Sequence, residues 1–173
     1  MDVKELLDQF TLFDPAKGQR AELPAVEGNY IVVLKAGCNI PDVLGNFKYT
    51  EISLHGVNYR VLYTGIASDL KRRIWTNHLH GNGGTSTFRK TLGSLFGYQK
   101  IPRDKNYQNN KKTKFGAEDE NSLTAWMEHN LLFAYLANDK SKELESFLID
   151  SLLPPLNVEG SKAATLQRVH ELR

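Results

Sequence analysis

Cys38 is the only cysteine in the 173 residues. A lone thiol excludes an internal disulfide framework and any zinc site built on several cysteines. No apolar run approaches the roughly 18 residues of a membrane span. The opening stretch, MDVKELLDQF, is charged and amphipathic, unlike a secretory leader. Internal repeats, long low-complexity linkers and cofactor motifs are also missing. The expectation is a single domain over 1–173, cytoplasmic and free of membrane contact, with enough chain for a real core.

What the chain does have is segregated charge. The formal net charge is only +2. Residues 1–27 hold three Lys/Arg against six Asp/Glu, residues 28–116 hold fourteen against four, and residues 117–173 hold five against ten. A middle third this basic suits a polyanion, because phosphate contacts supply most non-specific nucleic-acid affinity.

The pattern along the chain predicts an α+β fold with a small, mainly antiparallel, three-stranded central sheet flanked by helices. An N-terminal helical segment occupies 1–27, its amphipathic helix at 2–10 set by Val3, Leu6, Leu7 and Phe10. NYIVVLKAG (29–37) reads as a strand. KYTEISL (48–54) and YRVLYTG (59–65) read as a hairpin turning at HGVN. Helices are predicted at 69–79, capped by Ser68 or Asp69, and at 85–97, stopped by Gly97. Residues 98–121 read as a loop and 122–129 as a short helix. NLLFAYLA (130–137) reads as a strand, 141–153 as a helix ended by Pro154 and Pro155, and 160–173 as a C-terminal helix.

Two helices carry residues that packing does not call for. On 141–153 the apolar arc is Leu144, Phe147, Leu148, Ile149, Leu152 and Leu153, at about 100° per residue. Glu145 falls inside that arc, where a bare charge is costly, so it must face a cation, a metal or a cleft. On 69–79, Leu70, Ile74 and Trp75 mark the apolar side. Arg73 lies about 60° from Leu70 and His78 about 40° beyond Ile74, while Arg72 points nearly opposite. Arg73 can therefore reach a cleft beside the sheet, while Lys71 and Arg72 serve solvent or a nucleic-acid backbone. Tyr30 and Tyr63 sit in strands near Gly28 and Gly65, and Asn157 follows two prolines.

Together these residues resemble the GIY-YIG nuclease family. GNY (28–30) and YTG (63–65) match its two tripeptides, with Asn29 and Thr64 in place of apolar residues. Arg73 stands ten residues after Tyr63, as the family arginine does. In ELESFLIDSLLPPLN, Glu145 matches the family glutamate and Asn157, twelve residues on, its asparagine. The sequence departs in three ways. The tyrosines are 33 residues apart, which an insertion at 38–58 explains, as in restriction-enzyme members. The family's histidine often falls four residues after the arginine, which is Asn77 here, leaving His78 or His80 to fill the role. No cysteine-rich finger or long extension is present, unlike homing endonucleases and the large repair nuclease.

The resemblance implies an endonuclease that hydrolyses DNA phosphodiester bonds with one divalent ion, Mg2+ or Mn2+, held by Glu145. Tyr30 would activate water, a nearby cation or histidine favouring its phenolate, with His78 as the helper. Tyr63 would position water or phosphate, Arg73 would stabilise phosphate charge, and Asn157 would hold a tyrosine or the phosphate. Double-stranded DNA is the expected partner. A restriction-type enzyme would act as a homodimer, and the alternatives are a monomeric structure-specific repair nuclease or a non-catalytic nucleic-acid-binding module. The basic loop 97–116 (GYQKIPRDKNYQNNKKTKFG) would wrap DNA through Arg103, Lys105, Lys111, Lys112 and Lys114. Lys71, Arg72, Arg89 and Lys90 would add backbone contacts.

Overall fold

The computed structural model describes residues 1–42, 47–104 and 112–157. It is α+β, but the sheet is larger than the pattern suggests. Five strands lie in the order β1 (Thr11–Phe13), β7 (Leu131–Ala137), β2 (Gly28–Leu34), β4 (Val57–Ala67), β3 (Glu51–Leu54), every pair antiparallel. The expected three-strand sheet falls two strands short: the segments read as strands at 29–37, 48–54, 59–65 and 130–137 all join this one sheet, and β1, a three-residue edge strand too short to show a period, is the fifth. The strand–turn–strand reading of 48–65 holds as β3–β4. Its two-residue turn, His55-Gly56, has φ of 49° and 82°, the both-positive pair that glycine favours.

Helices cover both faces of the sheet. One face, with Val32, Leu34, Leu62 and Phe133, packs under a π-helix (Arg72–Leu79), α2 (Thr87–Leu95) and α3 (Ala117–Asn130). The other, with Ile31, Val33, Val61 and Ala134, packs under α1 (Val3–Leu7) and α4 (Ser141–Leu152). From Tyr30 to Leu34, β2 reads as a continuous apolar run because neither face sees water.

Two further expectations are corrected. The N-terminal helix is confined to α1, and the remainder of 1–27 holds β1 and a 3-10 turn at Arg20–Glu22. Residues 98–121 are not one loop: among the described residues, β5 (Lys100–Pro102) and β6 (Thr113–Phe115) form a separate antiparallel ribbon, and α3 starts at Ala117. The ribbon is anchored through Phe115, one of the aromatics among its basic residues, which packs against Gly83 and Gly93. The predicted C-terminal helix 160–173 lies outside the described residues. Among the described residues, no helix is long and apolar enough to cross a membrane.

Candidate active site

A bulge in β4 sets up the site. Val32 pairs with Tyr63 and Val33 with Val61, so Leu62 is extra. The bulge turns both Leu62 and Tyr63 onto the face that carries Tyr30. Across the strands Tyr30 pairs with Gly65. A Cβ on Gly65 would lie 2.6 Å from Tyr30 Oη, so only glycine lets the phenol lie across β4.

Beyond Val61, β4 has lost β3 as a neighbour, and the chain after α4 takes its place. Leu153, at φ 45°, ends the helix, and Pro154–Pro155 carry the chain back along the bare edge. Leu156 N–H donates to Leu62 O at 3.0 Å. The Asn157 amide then pairs with Thr64 like a strand residue: Thr64 N–H donates to Oδ1 at 2.9 Å, and Nδ2 donates to Thr64 O at 2.8 Å. Asn157, 5% exposed, thus holds the backbone beside Tyr63 rather than a tyrosine side chain or a phosphate.

The two departures from the tripeptide pattern are working residues as well. Buried Thr64 donates its hydroxyl to Tyr30 O at 3.0 Å. Buried Asn29 donates from Nδ2 to Ser141 O at 2.7 Å and accepts from Asn138 Nδ2 at 3.1 Å. This ties the first turn of α4 to β2, and Glu145 lies one turn further on.

The π-helix explains where the histidine falls. Its hydrogen bonds skip five residues, as in His80 N–H to Trp75 O at 3.0 Å. In this wider turn, residue i+5 comes round to the side that i+4 takes in an α-helix. His78, five residues after Arg73, therefore joins it on the cleft wall. Asp69 precedes the short α-helical stretch at 70–71 that leads into the π-helix, its Oδ1 accepting from Arg72 N–H at 2.9 Å.

These elements enclose an open polar cleft of about 480 Å³, lined by Tyr30, Tyr63, Arg73, His78 and Glu145 with Lys90, Lys112 and the 83–87 loop. Arg73, Lys90 and Lys112 face a single acid, Glu145. Tyr30 Oη lies 2.7 Å from His78 Nε2, and His78 Nδ1 lies 2.6 Å from Ser86 Oγ. His78 is 1% exposed and boxed by the rings of Tyr30, Tyr63, Phe88 and Phe133. Burial, then Arg73 and Arg89, pull its pKa down to about 3. Burial, then Tyr63, push Tyr30 well above the ordinary phenol value, and Arg73 only partly opposes them. The resting pair is therefore neutral phenol and neutral imidazole. The expected phenolate is not favoured before substrate arrives.

This buried histidine has a consequence for acid stability. The unfolded chain takes up the imidazole proton near pH 6.5 and the folded chain only near 3. Between those values the unfolded state binds more protons. His78 therefore costs stability progressively as pH falls from 6.5 to 3 and no more below that, on the order of a few kcal/mol in all. The denaturation midpoint should fall less between pH 7 and pH 4 in His78→Gln than in the wild type. Equal slopes would mean the histidine charges at no cost.

The other expected nucleic-acid contacts divide. Lys90 and Lys112 line the cleft. Lys71, Arg72 and Lys114 lie outside it, Arg72 being exposed. Arg103 donates from Nη1 to Gly84 O at 3.3 Å, bracing the ribbon against the cleft loop. Lys105 and Lys111 fall outside the described residues. Arg89 is a correction: at 0% exposure it cannot touch a backbone. Its Nε bonds Glu120 Oε2 at 2.6 Å, and its Nη1 donates to His78 O at 3.0 Å and Leu79 O at 2.9 Å. Glu120 Oε1 in turn accepts from Gly83 N–H at 2.8 Å and Phe115 N–H at 3.0 Å. This pair joins the π-helix, the cleft loop and the ribbon.

A family model described as the GIY-YIG catalytic domain matches residues 28–173. No curated protein and no solved structure matches the chain significantly.

Proposed function

Since the chain belongs to the GIY-YIG nuclease superfamily, we propose that it is a metal-dependent endonuclease that hydrolyses phosphodiester bonds of double-stranded DNA. One observation carries this: Tyr30, Tyr63, Arg73, His78 and Glu145, from β2, β4, the π-helix and α4, line one basic cleft. Arg73 grips the scissile phosphate and offsets the charge that builds on it. Tyr30, its own proton directed at His78, offers an oxygen lone pair to the attacking water. As that water gives Tyr30 a proton, Tyr30 passes its own to His78 Nε2, the hydroxide oxygen bonds to phosphorus and the opposite ester oxygen leaves. Tyr63, beside Tyr30, helps to place the water. The phosphate also neutralises the charge of Arg73, which otherwise resists a proton on His78.

Glu145 is the one carboxylate among the residues that line the cleft. A single carboxylate with waters and a phosphate oxygen suits Mg2+ or Mn2+, since magnesium keeps most of its water. Bound there, the ion would supply charge stabilisation at the leaving oxygen. Lys90 and Lys112 would hold neighbouring phosphates. A double-strand cut by a restriction-type enzyme needs two such clefts, hence a homodimer on a symmetric site.

The test is cleavage of supercoiled plasmid with Mg2+ and with chelator. Nicked or linear product only with the metal supports the nuclease, and discrete bands indicate sequence specificity. Salt-dependent binding without cleavage of any substrate would instead identify a nucleic-acid-binding module.

A further inference from the structure

The geometry points to Ser86 as the positioning residue that holds His78 in its Nδ1–H form, leaving Nε2 bare to accept the Tyr30 proton. This rests on the nuclease reading above. Ser86, 2% exposed, caps α2, its Oγ accepting from Arg89 N–H at 3.0 Å. The same Oγ lies 2.6 Å from His78 Nδ1. A neutral imidazole carries one ring proton, so two arrangements fit the distances. In one, Ser86 donates to Nδ1 and Nε2–H donates to Tyr30. In the other, Nδ1–H donates to Ser86 and Tyr30 O–H donates to Nε2.

Relative acidity selects the second, in which Tyr63, also hydrogen-bonded to Tyr30, is the donor to Tyr30 Oη. A phenol is a far stronger donor than an aliphatic hydroxyl, and its oxygen is the poorer acceptor. The second arrangement therefore sets the best donor, Tyr30, against the best acceptor, the bare imidazole nitrogen. It also stays intact through proton transfer. When Tyr30 gives its proton to Nε2 and takes one from water, Nδ1–H keeps donating to Ser86 and no ring rotation is needed. Arg89 fixes the other end, since its guanidinium holds the carbonyl of His78 itself.

Two measurements decide it. Imidazole nitrogen NMR of the 15N-labelled wild type, without metal or DNA, should show His78 protonated at Nδ1 and bare at Nε2, the signal being assigned by its loss in His78→Gln. Ser86→Gly removes the hydroxyl yet keeps most of the cap's worth. It should shift His78 toward the Nε2–H form and lower kcat about 10- to 100-fold, with KM within about twofold. Ser86→Thr should restore both the tautomer and the rate to within about threefold. A wild type dominated by Nε2–H overturns the assignment, and so does Ser86→Gly with unchanged kcat. The wild-type spectrum alone decides if a variant fails to fold. An Nδ1–H spectrum from a protein that cuts no substrate would leave the tautomer standing and overturn the nuclease reading instead.

Discussion

Arg89→Met should lower the stability of the fold by about 3–5 kcal/mol, the range for breaking a buried ion pair from one side. The guanidinium lies 2.6 Å from the Glu120 carboxylate with essentially no access to water. Methionine fills similar space but leaves that charge with only the N–H groups of Gly83 and Phe115. The carbonyl of His78 also loses its donor, whereas Leu79 O keeps Thr124 Oγ1 at 2.7 Å. Set against a typical total of about 5–15 kcal/mol, the loss is large enough to unfold much of the protein near physiological temperature. Adding Glu120→Gln removes the stranded charge while keeping an oxygen for the two N–H groups. The double variant should therefore recover about 1–3 kcal/mol over Arg89→Met alone. Urea denaturation of the two single variants and the double one measures this. An Arg89→Met protein within about 1 kcal/mol of the wild type would show that the pair does not hold the cleft together.

Arg89 also marks where reading the sequence stops. Its partner stands 31 residues away on another helix, and no local pattern separates such a pair from two surface charges. Ser86 carried a usable signal, the capping preference of serine before a helix, but its second bond to His78 depends on the fold. The π-helix was hidden for a different reason. A wheel at about 100° per residue assumes four-residue hydrogen bonding, so the one-residue displacement of His78 looked like a defect when it was a change in helix type. By contrast β2, the β3–β4 hairpin, β7 and α4 were legible, because each buries a long apolar face and so imposes a period. Glu145 was legible for the same reason, as the charge that interrupts an apolar arc. Three-residue strands such as β1, β5 and β6 impose none. Asn29 and Thr64 could have been flagged sooner. Polar residues at positions the family fills with apolar ones are costly when buried unless bonded, and both turn out to be tied to the site.

Glu145→Gln should reduce Mg2+-dependent cleavage at least about 10³-fold, equivalent to about 4 kcal/mol of transition-state stabilisation, with DNA binding and fold preserved. Glutamine keeps the shape and the position on α4, so the tie between Asn29 and Ser141 that sets this helix stays in place. What it removes is the one negative charge among the residues lining the cleft. A neutral amide oxygen is a poor ligand for a hard cation that demands few but well-charged protein donors. Binding should hold or tighten, because Arg73, Lys90 and Lys112 remain and an acid facing the phosphates is gone. That opposition separates a metal-holding role from a structural one, since a damaged fold would lose binding and cleavage together. Retained metal-dependent cutting within about tenfold of the wild type, in a variant that binds DNA normally, would remove Glu145 from the chemistry. The metal would then have to be held by groups other than this carboxylate.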